Sequence, residues 1–147
     1  GVAHRIELVR ELDGVRYYND SIASSPSRTI AGLRSFKQKV ILIAGGYDKH
    51  IPYDALGLEI TASVKTLLLT GDTAEKIKES TLAAPDYQEG EPEIFDCVDL
   101  QEAVEKARGL ARSGDVVIMS PASASFDRFK NFEERGNVFK SLVNSLK

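Results

Sequence analysis

The sequence has no tryptophan and only one cysteine, one methionine and five prolines among its 147 residues. The lone Cys97 excludes a disulfide framework and a metal site built on several thiolates. Because no run of about 18 apolar residues is present, we expect no membrane-spanning helix. The net charge of −3 offers no basic surface for nucleic acid or anionic lipid, so we expect neither partner. A reducing cytoplasm suits this composition.

The composition is that of an ordinary globular protein, with 42% hydrophobic and 28% charged residues. This length suits one domain with a substantial core, so we predict a single domain over residues 1–147. The chain lacks an initiator methionine and opens with "GVAHRIEL", already close to a predicted strand. This beginning predicts a piece of a longer protein that starts near a domain boundary.

Predicted strands alternate with predicted helices along the chain. "HRIELVREL" and "VRYYND" flank Asp13-Gly14, which favours a tight type I′ hairpin turn. Three later segments are continuously apolar, as buried parallel strands are: "KVILIAGG", "VKTLLLTGD" and "DVVIMS". Helical patterns follow or precede them, one beginning at Pro26 after Ser25 and the last being "GNVFKSLVNSLK". The alternation predicts an α/β fold: a Rossmann-like, mostly parallel sheet flanked by helices, with an N-terminal β-hairpin.

Polar loops rich in small residues follow four of the strands: "NDSIASS", "GGYDK", "TGDT" and "SPASAS". Ligands of open parallel sheets bind beyond the carboxyl ends of the strands, so we expect these loops to share one rim. Taken singly, each has a plain explanation. Gly45-Gly46 would let an anion approach the backbone, but such a pair more commonly forms a turn. Asp20 could bind a metal or a ribose, or form an Asx turn. His4 and Arg5 are typical of a solvated surface.

The segment "MSPASASFDRFKNFEERG" is less easily explained by structure alone. Three phenylalanines, at 126, 129 and 132, stand at roughly helical spacing among serines and charges, and Phe129 is best read as core. From Ser125 to Phe132 the segment offers a hydroxyl, backbone donors and an apolar wall. These parts suit a small ligand that carries a carboxylate and methylene groups.

These segments in this order, "AHRIEL", "YYNDSIAS", "IAGGYDK" and "SPASASFDRFKNFEERG", resemble the C-terminal domain of the Mur ligases. The resemblance extends over essentially the whole chain and is nearest to the branch that adds D-glutamate. "SPASASFDRFKNFEERG" is its specific part, since the shorter segments are individually weak. Ile22 departs from the pattern, because many relatives carry a lysine there.

The resemblance implies a three-domain cytoplasmic enzyme of peptidoglycan synthesis. Its N-terminal domain holds the UDP-sugar, and its central domain carries the P-loop and the Mg²⁺ ligands. The C-terminal domain brings in D-glutamate and closes over ATP. The carboxylate of UDP-N-acetylmuramoyl-L-alanine becomes an acyl phosphate, which the amine of D-glutamate attacks. We therefore expect a monomer whose isolated C-terminal domain is inactive and holds neither metal ligands nor a certain catalytic residue.

The same resemblance assigns roles to individual positions. The residues expected to bind D-glutamate are Lys49, Ser24, Ser125, Phe126 and Phe132. Those expected at ATP are Arg5, Asp20, Asn19 and His4. The isoleucine at position 22 leaves one cation fewer near the nucleotide or substrate phosphate.

Two other functions remain open. One is a related ligase that adds another amino acid, or a folylpolyglutamate synthetase of the same architecture. The other is a non-catalytic Rossmann-like binding module. An NAD-type dehydrogenase is excluded by the missing glycine fingerprint.

Overall fold

The computed structural model describes residues 2–147 and contains six strands and five helices in that range. The strands are β1 (Glu7–Leu12), β2 (Val15–Asn19), β3 (Val40–Ala44), β4 (Val64–Leu69), β5 (Glu93–Asp96) and β6 (Val116–Met119). The helices are α1 (Pro26–Leu33), α2 (Asp54–Ser63), α3 (Ala74–Leu82), α4 (Leu100–Leu110) and α5 (Phe132–Asn144).

All six strands form one sheet in the order β1-β2-β6-β3-β4-β5. Only β1 and β2 pair antiparallel, and every other neighbouring pair is parallel. The predicted α/β fold with an N-terminal hairpin is therefore confirmed. The parallel strands β2, β6, β3 and β4 are consecutive in the sheet, so their carboxyl ends line one continuous edge.

The hairpin turn has the conformation that its sequence predicts. Asp13 and Gly14 have φ angles of 53° and 77°, both positive, as a type I′ turn requires. Gly14 is also needed for space, because a Cβ there would lie 2.3 Å from the hydroxyl oxygen of Ser113. Leu12 pairs with Val15 directly across the turn.

Strands β3 and β6 are continuously apolar because helices cover both faces of the sheet. Ile41 and Ile43 belong to the core cluster on the side of α4 and α5, which also contains Phe139. The alternate residue Leu42 belongs to the cluster on the side of α1, α2 and α3, together with Leu56. A strand buried in this way has no polar face, which explains the unbroken run "VILIA".

Helix α5 begins at Phe132, earlier than the predicted start at Gly136. Asn131 caps it, since its side-chain oxygen accepts from the backbone nitrogen of Glu134 at 2.8 Å. Gly136 lies inside the helix. This position needs glycine because a Cβ there would fall 2.1 Å from Nδ1 of His4. The glycine was wrongly interpreted as a helix boundary, and it instead serves close packing against a side chain distant in sequence. No helix within residues 2–147 is both long and apolar enough to cross a bilayer.

Candidate functional site

The polar loops that follow β2, β3, β4 and β6 meet at the carboxyl edge of the sheet, as predicted. The backbone nitrogen of Tyr47 donates to the carbonyl of Ala124 at 2.8 Å, which joins the β3–α2 loop to the β6–α5 loop. The nitrogen of Ala122 donates to the carbonyl of Ala23 at 2.9 Å, which joins the β6–α5 loop to the β2–α1 loop. Backbone hydrogen bonds thus hold the rim together.

Gly45 and Gly46 serve this loop packing and not the close approach of an anion. A Cβ at Gly45 would lie 1.9 Å from the carbonyl oxygen of Thr70, and one at Gly46 would lie 2.6 Å from that of Ala124. Their backbone nitrogens donate to the Pro121 carbonyl at 2.9 Å and to Oγ1 of Thr73 at 3.0 Å. The anion-binding interpretation of "GGYDK" is therefore wrong for the two glycines, and the interpretation as a turn is correct.

Lys49 is exposed on the β3–α2 loop and has neither a hydrogen-bonding nor an ion-pair partner within residues 2–147. Its neighbour Asp48 is engaged, because it lies 2.7 Å from the ammonium of Lys76 and accepts from the backbone nitrogen of His50 at 2.7 Å. The hydrogen bond from Lys76 is the main reason that the pKa of Asp48 lies below its usual value. The charge of Lys49 remains available to a ligand at the rim.

Ser125 carries an available hydroxyl beside this lysine loop. Its residue is 3% exposed, yet no side-chain hydrogen bond within residues 2–147 uses that hydroxyl. It does not cap α5, since Asn131 does. The next residue, Phe126, is 67% exposed, and its ring packs edge-on against Tyr47 with 6.0 Å between centroids. Ser125, Phe126 and the loop of Lys49 therefore share one side of the rim.

The other two serines of the segment face inward. The hydroxyl of Ser120 lies 2.7 Å from Oδ2 of Asp20 and 3.0 Å from Oγ1 of Thr29. The hydroxyl of Ser123 lies 3.0 Å from that of Tyr53 and 2.7 Å from that of Thr73. These two hydroxyls are therefore used inside the fold, and only Ser125 of the three serines lies in the stretch expected to line a ligand pocket. Phe129 packs against the core, as predicted.

Arg135, which the sequence reasoning missed, connects three parts of the site. It is 4% exposed, and it donates to the hydroxyl of Ser21 at 2.9 Å, to the carbonyl of Ser21 at 2.7 Å and to the carbonyl of Ser123 at 2.8 Å. A longer contact of 3.4 Å reaches the hydroxyl of Ser24. Burial lowers the pKa of Arg135 to about 10, and the nearby charge of Asp127 offsets part of this effect. The guanidinium thus ties α5 to the loop that carries Ser24.

A signal for Arg135 was present in the sequence. It stands four residues before Phe139 and eight before Val143, and these two apolar residues form the buried face of α5. Helical periodicity therefore places the arginine on the buried face, where a charged side chain needs several hydrogen-bond acceptors.

His4 is buried, contrary to the expectation of a surface position. It is 8% exposed and has a φ of 64°. The side-chain oxygen of Asn19 accepts from the backbone nitrogen of Ser21 at 3.1 Å. The side-chain nitrogen of Asn19 is therefore the donor to Glu7 at 3.1 Å and to Nδ1 of His4 at 2.9 Å. In this arrangement Nδ1 of His4 faces a donor and is the acceptor of the hydrogen bond. The ring of Phe132 packs edge-on against His4, with 5.9 Å between centroids.

Asp20 is buried at the base of an open cleft that Arg5 and Ile22 also line. One carboxylate oxygen accepts from the nitrogen of Ile6 at 3.1 Å, and the other accepts from the hydroxyl of Ser120 at 2.7 Å. Burial raises the pKa of Asp20, while these hydrogen bonds and the charges of nearby arginines oppose the rise. The Asx turn leaving β2 is formed by Asn19, through its bond to Ser21, and not by Asp20.

The cleft and the rim differ in chemistry. The cleft joins a carboxylate to exposed guanidinium groups, whereas the rim joins an ammonium, a hydroxyl and an aromatic ring. Within residues 2–147 no group of three or more His, Cys, Asp and Glu side chains is arranged to hold a metal ion.

Comparison with known proteins identifies a family and several relatives. The family described as "Mur ligase, glutamate ligase domain" matches residues 4–123 of the chain. UDP-N-acetylmuramoylalanine–D-glutamate ligase of Acetivibrio thermocellus is 64% identical over 149 residues, covering 99% of this chain and 32% of the relative. The enzyme of the same name from Ruminiclostridium cellulolyticum is 61% identical over 150 residues, covering 100% of this chain and 32% of the relative. The chain thus spans about a third of the length of these relatives.

Solved structures share the fold at much lower identity. A murein peptide ligase from Psychrobacter arcticus superposes with a TM-score of 0.66 at 15% identity, covering 100% of this chain and 31% of that one. A bifunctional folylpolyglutamate synthase/dihydrofolate synthase from Yersinia pestis gives 0.67 at 16% identity, covering 97% and 31%. At these identities the likeness concerns the fold alone.

Proposed function

This chain belongs to the Mur ligase family, and we propose that it is the C-terminal domain of the ATP-dependent ligase that adds D-glutamate to UDP-N-acetylmuramoyl-L-alanine. In this proposal the domain binds D-glutamate at the rim and faces ATP with the Asp20 cleft. The UDP-sugar and the P-loop belong to an N-terminal and a central domain. The complete enzyme acts in the cytoplasm as a monomer.

The observation that carries the proposal is the hydrogen bond between Tyr47 and Ala124. It brings the loop of Lys49 to the loop of Ser125, so that a cation and an available hydroxyl share one side of the rim. A carboxylate needs this combination of a positive charge and short, directed hydrogen bonds. Ser24 adds a second hydroxyl on the neighbouring loop, which Arg135 holds in place.

The aromatic side chains complete an amino-acid site. Phe126 is exposed beside Ser125 and offers apolar surface to the methylene groups of D-glutamate. Phe132 packs against His4, so in this proposal it separates the amino acid from the nucleotide. A site for free carboxylate alone has no need of such apolar walls.

The cleft suits the nucleotide because it combines Arg5 with Asp20. Arginine binds phosphate oxygens through several parallel hydrogen bonds, and aspartate accepts from ribose hydroxyls. His4 and Asn19 act behind these groups, since His4, which directly precedes Arg5, bonds to Asn19 through its ring and to Glu7 through its backbone nitrogen. Mg²⁺ has no cluster of ligands among residues 2–147, so its ligands come mainly from the central domain in this proposal.

The proposed chemistry needs positioning more than a nucleophilic side chain. The substrate carboxylate attacks the γ-phosphorus of ATP, which gives an acyl phosphate and ADP. The amine of D-glutamate then attacks the acyl carbon, and the tetrahedral intermediate collapses to the amide and inorganic phosphate. Holding the amine close to that carbon converts a bimolecular step into an intramolecular one, which is the contribution of Lys49, Ser125 and Ser24.

The decisive experiment is an amino-acid screen with the full-length enzyme that carries this chain, ATP and UDP-N-acetylmuramoyl-L-alanine. We expect phosphate release with D-glutamate and little with L-glutamate, lysine or diaminopimelate. Release with another amino acid, or only with a folate substrate, would show a different ligase. No amino-acid-dependent release at all would leave a non-catalytic binding module. The chain of 147 residues alone is expected to be inactive.

A further inference from the structure

The cleft at Asp20 contains a second exposed arginine, Arg28, which the family assignment does not explain. Its lining includes Arg5, Ile6, Asp20, Ile22, Arg28 and Gly32. Arg5 enters from the segment before β1, and Arg28 enters from α1. The charges of both arginines act on the carboxylate of Asp20. The cleft is thus lined by two guanidinium groups carried by different elements.

The face of α1 toward the cleft is reduced to small side chains apart from Arg28. Positions 28, 31 and 32 of α1 and position 35 just after it follow helical spacing and all line the cleft, and the last three are alanine, glycine and serine. Gly32 cannot be larger, because a Cβ there would lie 2.7 Å from Oδ2 of Asp20. The arginine is therefore the only long side chain that α1 directs along this face of the cleft, and the small residues leave space for a ligand beside it.

Neither arginine is used by the fold. Within residues 2–147 no carboxylate lies within ion-pair distance of Arg5 or Arg28, and no hydrogen bond uses either guanidinium. Arg34, just beyond the end of the same helix, contrasts with them because its Nε lies 2.8 Å from Glu59. Asp20 forms no ion pair with either arginine, and its oxygens accept instead from Ile6 and Ser120.

The position of Arg28 in the helix is also unfavourable for folding alone. It lies in the first turn of α1, where the aligned peptide dipoles favour negative side chains, and this turn contains no acidic residue. Arg28 therefore gains nothing from the helix dipole, and its charge is available to an anion in the cleft.

We propose that Arg28 is a phosphate-binding residue, which acts with Arg5 on the phosphate oxygens of a nucleotide. This inference rests on the proposed function, in which the cleft faces ATP. Two guanidinium groups carried by different elements present several donors to a polyphosphate that enters the cleft. Ile22 lines the same cleft without charge, so Arg28 supplies the second cation.

The first test is kinetic and uses the full-length ligase. Arg28→Ala is expected to raise the KM for ATP about tenfold, since it removes a charge-assisted hydrogen bond. The KM values for D-glutamate and for UDP-N-acetylmuramoyl-L-alanine are expected to stay unchanged. Arg34→Ala removes a like charge just beyond the other end of α1, outside the cleft, and it is the control for a general effect of charge; because Arg34 also contacts Glu59, its melting temperature is measured alongside.

The second test measures binding without catalysis. Calorimetric titration with inorganic tripolyphosphate is expected to show weaker binding by Arg28→Ala, while adenosine binding is unaffected. Weaker binding of adenosine with unchanged tripolyphosphate binding would assign Arg28 to the nucleoside and overturn the proposal. Ile22→Lys, introduced into Arg28→Ala, returns a cation to the cleft and is expected to restore most of the tripolyphosphate affinity.

The outcomes separate this inference from the proposed function. If Arg5→Ala raises the KM for ATP while Arg28→Ala changes neither KM nor tripolyphosphate binding, the nucleotide site stands and the role of Arg28 is refuted. If the enzyme releases no phosphate in response to D-glutamate, the proposed function fails. The tripolyphosphate titration still decides the role of Arg28 in that case.

Discussion

The backbone nitrogen of Tyr47 lies 2.8 Å from the carbonyl oxygen of Ala124 and donates a hydrogen bond to it. The two residues also form an isolated antiparallel bridge between loops that follow different strands. Lys49 lies two residues after Tyr47, and Ser125 follows Ala124 directly. The position of the Lys49 loop relative to Ser125 is therefore set by main-chain atoms, and a side-chain substitution at either place leaves this connection intact.

This connection makes Lys49→Ala a clean probe of the rim. Lys49 is exposed and has no partner within residues 2–147, so its removal is expected to leave the melting temperature nearly unchanged. The lost charge-assisted hydrogen bond, worth about 1.5–3 kcal/mol, should raise the KM for D-glutamate roughly ten- to a hundredfold. Steady-state kinetics of the full-length enzyme at saturating ATP measure this effect.

Lys37→Ala is the control for Lys49, because Lys37 is equally exposed but precedes β3, at the opposite end of the sheet. It is expected to leave every KM value as in the parent enzyme. An unchanged KM for D-glutamate in Lys49→Ala would remove this lysine from the site, and equal effects in both variants would indicate a general effect of charge.

Ser125 and Asn131 separate ligand binding from helix capping. Ser125→Ala is expected to raise the KM for D-glutamate with little change in melting temperature, because no hydrogen bond within residues 2–147 uses this hydroxyl. Asn131→Ala removes the cap of α5 and is expected to cost about 1 kcal/mol of stability. Thermal unfolding and kinetics of both variants provide the measurement. The reverse pattern, with Ser125→Ala less stable and its KM unaltered, would place the pocket elsewhere.

Local chemistry explains why most of the fold could be predicted. Asp13-Gly14 specifies the turn through its own backbone preferences, and "VILIA" specifies burial on both faces through its composition. The start of α5 could not be predicted from Gly136, since position 136 is a glycine to make room for the ring of His4, which is far away in the sequence. Burial of His4 has the same origin, because its partner Asn19 is on another element.

The location of the candidate site could be predicted from the sequence, but the hydrogen bonding of its side chains could not. Its location at the strand ends follows from topology, and this part of the prediction is confirmed by the hydrogen bonds between the loops. The use of each donor does not follow from topology. Ser120 and Ser123 look equivalent to Ser125 in sequence, but only tertiary distances reveal that the first two bond to Asp20 and Tyr53.

Asp127 gives a prediction for the dependence of stability on pH. Burial and the nearby charge of Asp72 raise the pKa of Asp127, although Arg128 and Arg135 oppose this. The folded protein therefore holds this proton more tightly than the unfolded chain does, and stability is lost as the pH rises through the folded pKa. Asp127→Asn avoids that loss. The melting temperature of the variant minus that of the parent chain should therefore become larger as the pH is raised from about 3 to about 7.

Glu89→Gln is the control for Asp127, because it removes a carboxylate that is exposed to solvent. Its difference from the parent chain is expected to change less over the same pH range. A difference for Asp127→Asn that shrinks as the pH rises would mean that the arginines stabilise the ionised carboxylate more than burial destabilises it.

Arg135 is expected to be the residue of the site on which stability depends most. Arg135→Met removes the donors to two carbonyls and a hydroxyl, and it leaves Ser21 and Ser123 with buried acceptors. Each unsatisfied buried acceptor costs about 1–3 kcal/mol, and removal of the buried charge offsets part of this cost. We therefore expect the free energy of unfolding, measured in urea, to fall by about 2–4 kcal/mol.

Arg135→Lys should recover little of this loss, because an ammonium lacks the planar fork that reaches both loops. Arg128→Met, at an exposed neighbour whose guanidinium donates only to the carbonyl of Val98, should change stability by about 1 kcal/mol or less. Equal stability of Arg135→Met and the parent chain would mean that burying the charge costs as much as its hydrogen bonds return, and that the arginine serves the rim and not the fold.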